Sequence, residues 1–152
     1  MKTETLEHLL HWAAEVHQAL GSELERESRH APEGPSRGLM EYVAEHENRL
    51  AMEIAGLIPT LEPNARDTWL YDWLPHTPAA PSNLLRQRYR DMPLAELSRA
   101  IFSVHHEVTE VFQHLAVRAD VPEVAEGISR VLELVDSHSR QVAQQINRMA
   151  DM

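Results

Sequence analysis

Residues 6–24 read LEHLLHWAAEVHQALGSEL. Leu6, Leu10, Ala13, His17, Leu20 and Leu24 recur at alternating steps of four and three, which lays a single stripe along an α-helix. A half-buried strand would need a period of two, and the stretch has none. Thr3 or Thr5 can cap this helix, with Glu4 or Glu7 in its first turn, where the positive end of the helix dipole favours an acid.

The same pattern recurs three more times. Pro32, Gly34 and Pro35 turn the chain, and a second stripe follows in Leu39, Val43, His46, Leu50, Ile54, Leu57 and Leu61, ending or kinking at Pro59 and Pro63. A third helix starts near Pro93 and carries Leu94, Leu97, Ile101, His105, Val108, Phe112 and Leu115. The fourth is expected to start at Asp120, with Glu123 completing a capping-box-like signature and Pro122 in the first turn. Its stripe is Val124, Ile128, Val131, Val135, His138, Val142, Ile146 and Met149.

Residues 62–93 differ in character. They hold five of the nine prolines, together with Trp69, Tyr71, Trp73 and Tyr89. Asn64 to Leu74 can form a short amphipathic helix with Trp69, Leu70, Trp73 and Leu74 on one face. A connector this long and aromatic reads as a crossover packed along the helices. Residues 1–152 are therefore expected to form one all-α domain, a four-helix bundle of two helical hairpins joined by a long crossover. An internal repeat supports the division: Val16-His17 matches Val104-His105, and His46 and His138 follow 29 and 33 residues later.

His17, His46, His105 and His138 each fall near the middle of a stripe, so the pattern places four imidazoles at one level of the core. Some or all of them can share a transition-metal ion (Fe, Zn, Cu or Ni), and haem held between two facing histidines is a further option. The alternative is a metal-free scaffold or interaction module, in which the histidines satisfy one another as a polar layer. Tyr42, Glu47 and Thr109 are the residues placed to hold the histidines: Tyr42 and Thr109 lie one turn away, and Glu47 sits at the seam edge about 100° round from His46.

This layout resembles the ferritin-like (rubrerythrin-type) superfamily, in which the first and third helices each give a Glu and the second and fourth each give Glu-x-x-His. His46 and His138 match the histidines of that motif. Val43 and Val135 stand where its glutamates would, and His17 and His105 occupy the single-Glu positions. The resemblance implies a metal centre inside the bundle. The missing carboxylates depart from the usual di-iron chemistry and shift the expectation toward a His-lined site with Zn, Cu, Ni or one iron.

Other patterns carry less. Glu4, His8, His11 and Glu15 share a helix face, as do His106, Glu110 and His114, but both faces lie away from the apolar stripes. Ser103 near His106 and Ser137 beside His138 lack a third group, and no phosphate-binding loop or dinucleotide glycine pattern occurs. Gly21 either opens space for a ligand or eases helix packing. Trp69 and Trp73 are candidates for docking a protein partner or a second copy of the chain. The balance of 14 basic against 24 acidic residues, net −10, argues against nucleic acid and against an anionic membrane surface. Without cysteine there is no disulfide, thiolate metal site or cysteine nucleophile. No signal sequence or transmembrane run is evident, so a cytoplasmic, bacterial-type protein is expected, with enzyme status open.

Overall fold

The computed structural model describes residues 5–68, 70, 78–85 and 87–151. Over these the chain is all-α, with no strand beyond an isolated bridge at Thr5. Its helices are α1 (Leu6–Ser28), α2 (Pro35–Leu57), α3 (Pro63–Arg66), α4 (Pro81–Leu84), α5 (Leu94–Arg118) and α6 (Pro122–Ala150).

Local chemistry sets most of the boundaries. The Thr5 hydroxyl accepts from the His8 N–H at 3.2 Å and caps α1. Gly34 precedes α2 with φ at 147°, a conformation open to glycine, and Pro35 supplies the first helical position. Two expectations are corrected. Val121, not Asp120, is the N-cap of α6, so Pro122 opens the helix with no side-chain cap. Of the helix expected over Asn64 to Leu74, the described residues hold helix only in α3 (Pro63–Arg66), which ends at Asp67. Trp69 and Trp73 lie outside the described residues.

The four long helices have a definite sense. A Cβ at Gly127, early in α6, would lie 3.0 Å from Leu61 and 3.2 Å from Leu6, so the start of α6, the end of α2 and the start of α1 share one end. Gly38, early in α2, faces Met149 late in α6. Residues around Pro35 and Met92 line one cavity at the opposite end. Hence α1 and α6 run one way, α2 and α5 the other, and the chain returns the full length of the molecule between α2 and α5.

α2 packs against α1 on one side and against α6 and α5 on the other, while α6 also packs on α5. The stripes form one apolar core, with Leu20, Leu50, Phe112 and Val135 fully buried. Burying each such large side chain contributes on the order of 1.5–3 kcal/mol. α1 buries more than its predicted stripe, including Leu9 and Val16, and the connector also packs on this helix. Trp12 Nε1 donates to the Ala79 carbonyl at 2.8 Å, Leu6 N–H donates to Thr68 at 3.2 Å, and Arg90 Nε donates to the buried Glu27 at 2.8 Å. No helix among the described residues is long and apolar enough to cross a membrane.

Candidate metal centre

The stripes bring the four histidines into the core midway along the helices and divide them into two groups. His17 from α1 and His105 from α5 approach each other edge-on, with ring centroids 5.2 Å apart, and Glu47 from α2 lies between them. His46 from α2 meets His138 from α6, Nδ1 to Nδ1, at 3.4 Å. All four rings are buried, and the groups are close enough for His138 to act electrostatically on His17.

Glu47 is the centre of the first group. It is fully buried, with Oε1 2.7 Å from His105 Nε2 and 3.2 Å from His17 Nδ1. An ionised carboxylate only accepts, so the ring nitrogens facing it are the donors. Burial alone would raise the carboxyl pKa. The two imidazoles overcome that and hold Glu47 well below the usual carboxylate range.

For His17 burial wins, with help from His105 and His138, and lowers its pKa despite the pull of Glu47. His17 is therefore a neutral imidazole, with its proton on Nδ1 and its lone pair on Nε2. That Nε2 has no protein partner, and neither does Glu47 Oε2. Two buried lone-pair atoms are thus left without a donor in a core where such groups are nearly always satisfied. One ligand atom each from His17, Glu47 and His105 lies within 4.8 Å of the other two.

His105 is held from its far side by α6, where Ser139 Oγ lies 2.7 Å from Nδ1. Phe102 sets its ring edge-on at 6.1 Å. In the second group, His138 Nε2 faces the Glu53 carboxylate at 3.3 Å, which places its proton there and leaves Nδ1 to accept from His46. Tyr42 lies tilted against His46, with ring centroids 4.4 Å apart. Burial, Arg49 and His138 lower the His46 pKa. Thr109 is turned outward and donates to the His106 carbonyl at 3.1 Å.

Glu47 moves from the seam edge to the middle because α2 has neighbours on both sides. Positions 46 and 47, about 100° apart, each find a helix to face. Ser139 relates to His138 in the same way and was not among the residues singled out from sequence. Both continue an apolar stripe at helical spacing: Val43, Glu47, Leu50 and Ile54 on α2, and Val135, Ser139 and Val142 on α6. Val43 and Val135 are fully buried apolar residues, so the carboxylates of a bridged iron pair are absent from those positions. Gly21 serves helix packing: a Cβ there would meet Asn48 Oδ1 at 2.6 Å and the Ala44 carbonyl at 3.0 Å.

Two imidazoles and one carboxylate are a donor set for a single divalent ion such as Zn²⁺ or Fe²⁺, with coordination positions left over. Comparison with family models, with curated proteins and with solved structures finds no match for this chain.

Proposed function

We propose that this protein is a metal-binding helical protein that holds one divalent transition-metal ion between α1, α2 and α5, with His17, Glu47 and His105 as ligands. The observation that carries the reading is the convergence of one ligand atom each from His17, Glu47 and His105, within 4.8 Å of one another, around a fully buried ionised carboxylate. A cation bound among these three residues would neutralise the buried charge. Zn²⁺ and Fe²⁺ suit this set better than a thiolate-loving ion, and the ion would supply Lewis-acid or redox chemistry according to which is bound.

His46, His138 and Glu53 form an adjoining hydrogen-bonded chain that sets the neighbouring wall of the site. The architecture we assign is a four-helix bundle of ferritin-like topology, supported by the parallel run of α2 and α5 that the long connector imposes. With one central carboxylate, the residues fit a single ion and do not fit a carboxylate-bridged pair.

A second reading has a specific observation behind it. His105 has a partner at both nitrogens without any ion, Glu47 and Ser139, as a structural polar layer in a metal-free scaffold would require. Equilibrium titration of the metal-free chain with Co²⁺, Zn²⁺ and Fe²⁺ separates the two. We expect about one ion per chain and a loss of affinity of roughly a hundredfold or more in Glu47→Gln, with the helical circular dichroism retained. A wild-type chain that binds none of the three ions, or a Glu47→Gln chain that binds as tightly as wild type, would leave the scaffold reading.

A further inference from the structure

We propose that the ion reaches and leaves the centre through the groove between α5 and α6, past Ser139 and the ring of His105. This inference rests on the metal-binding reading above and adds the path by which a hydrated divalent cation is loaded.

His17 and Glu47 are sealed, with no exposed surface, whereas His105 retains 3%. That small exposure opens into a groove of about 520 Å³ whose lining includes His105 and Ser139. Phe102 and Leu132 also line it, and Ser129, Glu133 and Asp136 contribute polar groups. Two further cavities, one at each end of the helices, touch none of the central residues.

The groove's chemistry suits a cation. Asp136 is paired with Arg140, but Glu133 has no ion pair among the described residues and leaves its charge to the groove. Besides His105, the remaining titratable group on the lining, His106, faces Glu110 at 3.4 Å. A concave surface of this charge raises the local concentration of cations.

At the floor, the His105 ring spans the remaining distance, with Nδ1 on Ser139 and Nε2 on Glu47, each 2.7 Å away. A serine hydroxyl both donates and accepts. It can donate to Nδ1 of the metal-free ring or accept from Nδ1–H once Nε2 gives its lone pair to an ion. Ser139 is therefore a positioning residue for His105 in both states.

The experiment follows Co²⁺ loading of the metal-free full-length chain by stopped-flow absorbance, and release into excess chelator. Ser129→Trp fills the groove from exposed α6 surface, Gln113→Trp fills it from α5, and Thr60→Trp places the same bulk in an end cavity. Loading and release should both slow by about tenfold or more in the two groove variants, with Kd within about threefold of wild type and Thr60→Trp unchanged. Glu133→Gln should slow loading a few-fold at low salt and not at high salt. Wild-type rates in both groove variants would overturn the route while leaving the metal site standing. A wild-type chain that binds no Co²⁺, Zn²⁺ or Fe²⁺ at equilibrium would overturn both.

Discussion

His17 is a neutral side chain kept neutral at a cost that depends on pH. In the unfolded chain it takes up a proton near its ordinary value of 6.5, while in the core burial holds its pKa lower. A histidine depressed in this way contributes stability that is complete above 6.5 and is lost as the pH falls toward the folded value, because the unfolded state then binds the extra proton. The unfolding free energy of the metal-free chain should therefore drop on acidification below that pH, by up to about 1.4 kcal/mol per pH unit from His17 alone. His46, also lowered, acts in the same direction. His17→Gln keeps an N–H to offer Glu47 but cannot titrate, so the fall in stability on acidification, followed by urea unfolding across this range, should have a shallower slope. An unchanged slope would mean that His17 is not held neutral in the fold.

At the scale of elements, the α1–α2 pair depends on a place where no side chain fits. Asn48 can swing away from a Cβ at Gly21, but the Ala44 carbonyl, 3.0 Å away, belongs to the α2 backbone and cannot. Gly21→Val should destabilise the chain by about 1–3 kcal/mol, measured by denaturant unfolding, and Asn48→Ala should not rescue it. Full rescue would place the clash on Asn48 rather than on the helix axis. This contact shows where the sequence stops being readable. The stripes through Leu6–Leu24, Leu39–Leu61, Leu94–Leu115 and Val124–Met149 were legible because a period near 3.6 is a local property of the chain. Which of two adjacent residues faces the centre is not local. Val43–His46–Leu50 and Val43–Glu47–Leu50 are equally good helical spacings, and α6 offers the same choice between His138 and Ser139. Only the packing of α2 between α1 and α6 turns Glu47 inward and makes it a candidate ligand.

The whole molecule is joined at its centre by groups far apart in the chain: His17, Glu47 and His105 sit on three helices, and Ser139 reaches them from a fourth. In the unfolded chain these donors are scattered over more than a hundred residues, so a site that needs all of them exists only in the folded state. An ion bound there stabilises the fold by mass action, by about 2.7 kcal/mol at a free concentration a hundredfold above Kd. For a chain of this size that is a rise in Tm of about 5–10 °C. Surface chelation at the solvent-exposed His106–Glu110 pair does not involve Glu47, so the variant Glu47→Gln separates the two sources of binding. Thermal unfolding followed by circular dichroism, with and without Zn²⁺ at that concentration, should show the rise in wild type and its loss in Glu47→Gln. A shift of equal size in both chains would place the stabilising ion away from Glu47.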